Sequence, residues 1–280
     1  MNIISSDRVR VENTGNDYLL GIPDNSKEEI KIIFQGKGSI KVSVGKNSSA
    51  RITELSKGFT NQKIELIVGE NSVVNYISIH NYKKEIESFS NKTGIISKNA
   101  ALNWLNCYLC EAKTNSETKT ILKGKGSNCS SFSIVFGSGK SVFKINNEVI
   151  HKADKSKSDI LAKIVLNGKS RAFHTGLIRI NPNAVGCEGY QKSDTILLSE
   201  DAAVEAVPNL EIENNDVACS HGATISQVDE EKLFYMKSRG LDEKTAKKLI
   251  IEGFFSPFIE KLSNTSLKES VKKTIAEKWK

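Results

Sequence analysis

From residue 30 to residue 198 the chain repeats one pattern, a short run of alternating apolar and polar residues followed by a turn rich in glycine and asparagine. The runs cover 30–34, 40–44, 63–68, 73–79, 102–109, 118–122, 131–136, 142–149, 160–166, 173–180 and 195–198. Alternation of period two puts every second side chain on one face, which suits a strand with one buried side. The separators include Gly36-Lys37-Gly38, Gly45-Lys46-Asn47, Gly69-Glu70-Asn71, Lys98-Asn99-Ala100 and Gly124-Lys125-Gly126. Glycine and asparagine accept positive φ, so they fit tight turns. No capped helical pattern of about ten or more residues breaks the series before Asp229. Two architectures fit: an antiparallel sandwich or barrel, or a parallel β-helix of stacked rungs. The number of strands, the polar corners and the lack of a regular hairpin dipeptide favour the β-helix.

Beyond about residue 225 the period changes. Leu233, Phe234, Met236 and Lys237 lead to Arg239-Gly240, a helix stopped by glycine. Asp242 caps a second helix with Ala246, Leu249 and Ile250 on its apolar face, ending at Gly253. Ser256-Pro257 predicts a further short helix through Leu262, and the capping box Ser266-Leu267-Lys268-Glu269 opens a last one. The expected organisation is a β-helix core over 1–228, with 1–25 as an N-terminal extension, and a helical domain over 229–280. No Gly/Ser-rich linker separates them, so the helices are expected to pack on the β-body.

The net charge is +7, carried by lysines spread along the chain. Spread lysines predict a solvated basic surface or acidic protein partners rather than nucleic acid. No apolar run approaches the ~18 residues of a membrane helix, and the N-terminus carries no signal-like stretch. A cytoplasmic protein with reduced thiols is expected, and the odd count of five cysteines fits a disulfide framework poorly.

Cys219 and His221 lie two apart in an extended stretch, so both project to one side. A thiolate and an imidazole on one side suit a metal ion or a cluster iron. The plainer reading is a buried thiol beside a hydrogen-bonded histidine. Cys107 and Cys110 form a lone C-x-x-C; on a strand, residues three apart face opposite ways, so the sulfurs converge only across a bulge. A tetrad of Cys107, Cys110, Cys219 and His221 is the alternative. Gly137-Ser138-Gly139-Lys140-Ser141 and Gly168-Lys169-Ser170 imitate the end of a phosphate loop, but each lacks the first glycine and precedes a strand, so both read as turns. His80, His151 and His174 have no triad partners in sequence, and no paired carboxylates mark a glycan-cleaving β-helix.

The run CSHGAT at 219–224, its spacing to LFYMKSRG at 233–240, and the D-E-x-x-A-x-x-L-I-x-x-G-F that begins at Asp242 resemble the C-terminal half of the SufB/SufD family of iron–sulfur cluster assembly proteins. The resemblance is close over 166–255 and looser before. It implies a right-handed parallel β-helix with a small helical domain, in a scaffold subunit that is not itself an enzyme. It implies that the helical domain docks a SufC-like ABC ATPase, which supplies ATP hydrolysis; Leu233, Phe234, Tyr235, Arg239, Gly240, Phe254 and Phe255 are the expected contact residues. It implies that strands around 195–224 pair with a second SufB/SufD-type chain, a copy or a paralogue. Cys219 and His221, with Cys187 as an additional thiolate, would then hold a transient iron–sulfur cluster shared at that interface. Where this chain has Ser193 and Gly222, the SufB-like branch has a functional cysteine and a glutamate, so the motif is SufD-like. Those two departures favour a second reading, a metal-free adapter in the same complex. A carbohydrate-processing β-helix is a distant third.

Overall fold

The computed structural model describes residues 1–81, 86–260 and 265–278. Three short strands, β1 (Asn2–Ile4), β2 (Arg10–Thr14) and β3 (Asp17–Ile22), precede two long ones, β4 (Lys27–Val44) and β5 (Ser49–Val68). Shorter strands follow: β6 (Val73–His80), β7 (Glu87–Ile96), β8 (Ala101–Tyr108), β9 (Lys113–Leu122), β10 (Asn128–Gly137), β11 (Val142–His151), β12 (Lys157–Leu166), β13 (Arg171–Ile180), β14 (Cys187–Leu197), β15 (Ala203–Ile212) and β16 (Val217–Gln227). Three helices close the chain: α1 (Glu230–Ser238), α2 (Glu243–Ile259) and α3 (Thr265–Lys278).

The strands coil into a parallel β-solenoid of about seven turns. One wall runs from the first halves of β4 and β5 through β6, β8, β10, β12 and β14 to β16. The opposite wall runs from β3 and the second halves of β4 and β5 through β7, β9, β11 and β13 to β15. From β6 and β7 onward the register holds without slip, so equivalent residues stack. Tyr76, Trp104, Ser131, Ile160, Gln191 and His221 form one such column.

One corner explains the regular pitch. Asn25, Asn47, Asn71, Asn99, Gly126, Lys155 and Gly186 occupy it in successive turns, all with φ between 52° and 70°. Each donates its backbone N–H to a carbonyl of the next turn, from Asn25 to Lys46 at 2.9 Å through to Gly186 to Asp216 at 2.8 Å. The asparagine side chains repeat the bond: Asn47 donates to Asn25, Asn71 to Asn47 and Asn99 to Asn71, at 3.1–3.3 Å. Asparagine tolerates the left-handed region, and its amide can donate and accept along a ladder.

The ends differ. At the first, β1 runs antiparallel to β4, and β2 antiparallel to β3, which blunts the edge. At the last, among the described residues, β15 pairs only with β13, and β16 only with β14, leaving two edges of 10 and 11 residues.

The middle of the solenoid is polar. Glu54 and Lys92 are both fully buried, with Nζ 3.8 Å from Oε2. Lys92 donates to Ser78 at 2.6 Å and Asn106 at 2.8 Å, while Glu54 accepts from Tyr76 at 2.8 Å, Gln62 at 2.8 Å and Ser56. A buried charge is tolerated when paired and hydrogen-bonded in this way. The same polarity hides strands from sequence reading. In β7 the inward positions are Ser88, Ser90, Lys92 and Gly94, and in the first half of β5 they include Glu54 and Ser56, so neither shows apolar alternation. β7, the first half of β5, and β15 are absent from the alternating runs read in the sequence.

Two further differences concern breaks. Gly36 does not end a strand; at φ +83° it bends β4 where its pairing with β5 shifts register. Gly58 stands at φ +69° within β5. The helix expected from Ser256-Pro257 is the last turn of α2, which runs unbroken through Gly253. Pro257 lacks an N–H and costs one bond, but Phe255, Phe258 and Ile259 are buried on the wall, and each contributes on the order of 2 kcal/mol. Leu262 and Trp279 lie outside the described residues.

The helices lie on the outer face of the even-numbered wall. Leu233, Ala246, Ile251, Phe255 and Phe258 pack against Ile77, Leu105, Cys107, Phe132, Ile134 and Phe136. Phe132 stacks on Phe258 with centroids 5.3 Å apart. Asp229 and Asp242 cap α1 and α2 by accepting from the N–H groups of Lys232 at 3.0 Å and Thr245 at 2.9 Å. Among the described residues no helix is long and apolar enough to cross a membrane.

Burial keeps the interior histidines neutral. It lowers the pKa of His80 to about 3, with the Lys92 charge assisting, and those of His151 and His174 to about 4. The unfolded chain therefore binds protons below pH ~6.5 that the folded chain refuses, so stability is complete above that value and falls with pH from ~6.5 towards 4. Each group contributes up to about 1.4 kcal/mol per pH unit in that window. The urea midpoint should fall steadily between pH 7 and 5, and His174→Gln should flatten the slope. A midpoint unchanged down to pH 5 would contradict the assignment.

Candidate functional site

The last turn of the solenoid has no next turn to cover it, so the residues that would be core elsewhere are open to one side. In β14 and β16, Gly189 pairs with Cys219, Gln191 with His221 and Ser193 with Ala223. Cys219 turns inward: a Cβ on Gly189 would meet its sulfur at 3.2 Å and Ile178 at 3.0 Å. Gly189 thus leaves the room that the thiol occupies. His221 turns the same way, its Nδ1 3.0 Å from the carbonyl of Pro208 on the opposite wall. A carbonyl only accepts, so Nδ1 carries the proton of this bond, which orients the ring and leaves Nε2 as its other nitrogen. Gln191 lies beneath the imidazole and donates to the carbonyl of Asn209 at 2.7 Å.

The thiol and the imidazole therefore share the open interior of the final rung. Cys219 is half-buried and His221 exposed. Burial raises the Cys219 pKa and the nearby Cys187 adds to it, against a backbone hydrogen bond from Gly189. A separate hollow of about 510 Å³ lies on the outer face of this wall, among the exposed Lys157, Asp159, Glu188 and Tyr190.

Cys187 is placed differently. It follows the left-handed Gly186, as Ser26, Ser48, Ser72, Ser127 and Ser156 each follow a left-handed residue in earlier turns. Its sulfur lies 3.3 Å from Ser156 Oγ, which contacts His151 Nδ1 at 2.8 Å. It is fully buried and continues the corner column one turn below the open rung. Ser193 is buried, and its hydroxyl finds no partner among the described residues. Gly222 faces outward, beside open space.

The C-x-x-C sulfurs diverge. Cys107 lies under the helices, while Cys110 faces the interior, 3.2 Å from Thr114 Oγ1. Neither reaches Cys219, so the tetrad does not form. Among the described residues no group of three His, Cys, Asp or Glu side chains is arranged to hold a metal ion. The chain offers two donors at the open rung.

On the tail, Phe234 is 74% and Tyr235 58% exposed. Arg239 lies over the Tyr235 ring, 5.2 Å from its centroid, just before Gly240 at φ +91°. Leu233 and Phe255 are buried against the solenoid and hold the tail in place, while Phe254 is half-buried over Lys163. Sequence reasoning did not single out Gly189 or Pro208; an isolated strand glycine was the available signal for the first, and a backbone carbonyl leaves none.

Comparison with known proteins gives a consistent result. The family model described as "SUF system FeS cluster assembly, SufBD core domain" matches residues 28–254. A protein of Staphylococcus epidermidis, named an iron–sulfur cluster assembly SufBD family protein, is 29% identical over 199 residues, which cover 71% of this chain and 43% of that protein. Relatives of the same description from Staphylococcus saprophyticus and Staphylococcus haemolyticus are 28% identical over the same shares. The chain thus spans less than half the length of these curated relatives.

Of the five free cysteines only Cys219 is not buried. Iodoacetamide should therefore modify the folded protein once, at Cys219, and faster as pH rises past 9, because burial holds the thiol protonated. Peptide mass spectrometry locates the adduct, and prior labelling of any other cysteine would contradict the geometry.

Proposed function

Because the chain belongs to the SufB/SufD family of the SUF iron–sulfur assembly system, we propose that it is a scaffold subunit whose last solenoid turn offers Cys219 and His221 to a nascent cluster. The observation that carries this reading is that those two side chains face the uncovered interior of a rung whose two strands each keep a free edge. Clusters usually take four protein ligands, so two donors are half a site. A second SufB/SufD-type chain, a copy or a paralogue, lying along β15 and β16 would pair the free edges and bring the remaining ligands. The cluster is cargo, built and passed on.

The helical tail would carry a SufC-like ABC ATPase, with Phe234, Tyr235 and Arg239 as its outer surface. Aromatic and arginine side chains are favoured anchors at interface centres. Leu233, Phe255 and the Gly240 turn would shape that surface from below. The two lysine-containing glycine turns are solenoid corners between strands, so nucleotide chemistry is assigned to the partner. A cytoplasmic location fits this role.

The second reading is a metal-free adapter that only holds the ATPase and a partner chain. Ser193 and Gly222, which stand where the SufB-like branch has a thiol and a carboxylate, favour it. Anaerobic reconstitution with the ATPase and a SufB-type partner separates the two. His221→Ala and Cys219→Ser should each lose most of the bound iron and acid-labile sulfide while the complex keeps its size. Full iron loading in both variants would leave the adapter reading.

A further inference from the structure

The outer face of β14 carries a joint that the proposed function does not use. Asp194 Oδ2 accepts from Lys163 Nζ at 2.7 Å, and its Oδ1 accepts from Thr224 Oγ1 at 2.6 Å. Lys192 Nζ stands 3.4 Å from the same Oδ1. Lys163 in turn lies over the ring of Phe254, 4.3 Å from its centroid. These groups belong to different parts of the molecule: Lys163 to β12, Thr224 to the free edge strand β16, and Phe254 to α2. Thr224 is three residues beyond His221. The Asp194 and Lys163 side chains are only 13% and 21% exposed, so their bonds are charge-assisted and partly shielded from salt.

The covalent path closes the circuit. β16 runs into α1 and α2, and Phe254 returns to the wall at β12. β16 has ladder bonds on one side only, so side-chain tethers account for more of its order than in an inner strand. On its outer face the other tether is Ser226 Oγ to the Thr195 carbonyl, at 3.4 Å.

We propose that Asp194 is a positioning residue that makes the order of the free edge β16, and with it the placement of Cys219 and His221, depend on the seating of α2 against β12. With α2 seated, the Phe254 ring confines the Lys163 ammonium, and Asp194 keeps one oxygen on Lys163 and the other on Thr224. When α2 lifts, Lys163 gains water and rotamer freedom, the carboxylate swings toward Lys192, and Thr224 loses its acceptor. The purpose of this coupling rests on the scaffold reading: whatever binds the helices would then adjust the cluster edge. The coupling itself belongs to this chain alone.

Hydrogen exchange read by mass spectrometry on the full chain, without partners or metal, tests it. Phe254→Ala spares the buried Phe255 and Phe258, yet should speed exchange across 217–227 by about five- to ten-fold. Asp194→Asn should have the same effect on that segment, and the double variant should be no faster than either single one. Thr224→Val at the exposed edge should reproduce Asp194→Asn, while Thr224→Ser, which keeps the hydroxyl, should match the parent; this pair serves if Asp194→Asn fails to fold. An unchanged 217–227 segment in Phe254→Ala, or additive effects in the double variant, would overturn the coupling. Failure of ATPase docking or cluster loading would leave this measurement untouched, so the two readings fail separately.

Discussion

From β6 and β7 onward the turns of this molecule are stacked by hydrogen bonds in a register that does not slip. That constraint decides the rest. Parallel in-register stacking puts each inward residue directly over its counterpart, so the interior is sorted into columns rather than mixed as in a globular core. Columns can be apolar, like those near the asparagine corner, or polar, like that around Glu54, Lys92 and Asn106. The left-handed corner keeps the columns aligned, because one residue per turn sets the chain's direction and hands its N–H to the next turn.

A stack held this way must end, and its last turn cannot satisfy itself. One end is blunted by antiparallel strands. The other keeps two open edges and an uncovered interior, and the thiol and imidazole sit there. The same reasoning separates Cys187 from Cys219. Both are inward cysteines in neighbouring strands, but Cys187 has a turn above it and takes the place of a corner serine, whereas Cys219 has none. Position in the stack, rather than residue type, distinguishes the covered thiol from the reachable one.

The helical tail solves a different problem. The outer face of the even-numbered wall is rich in Ile, Leu and Phe and would be a large exposed patch on its own. Folding α1 and α2 back across it buries that patch and leaves Phe234 and Tyr235 on the far side. The tail is therefore a cover for the solenoid that presents an aromatic outer surface. Because it springs from the free edge strand and rests on β12, cover and edge are mechanically joined through Lys163 and Asp194.

The division between what was legible in the chain and what was not follows from the range of the forces involved. Alternation in the apolar strands, the Gly and Asn corners, the aspartate caps at 229 and 242, and the two-residue spacing of Cys219 and His221 are local, and each was readable from neighbouring residues alone. The resemblance carried by CSHGAT and LFYMKSRG pointed to the family. Strand β7 was invisible because its inward residues Ser88, Ser90 and Lys92 are polar, and the charge of Lys92 is accommodated by partners on the facing wall. The continuity of α2 through Pro257 and the openness of the last rung were likewise decided by packing between segments distant in sequence, whereas the divergence of Cys107 from Cys110 was already readable from their spacing. Local periodicity says which way a side chain points; only the stacked tertiary structure says whether anything lies there to meet it.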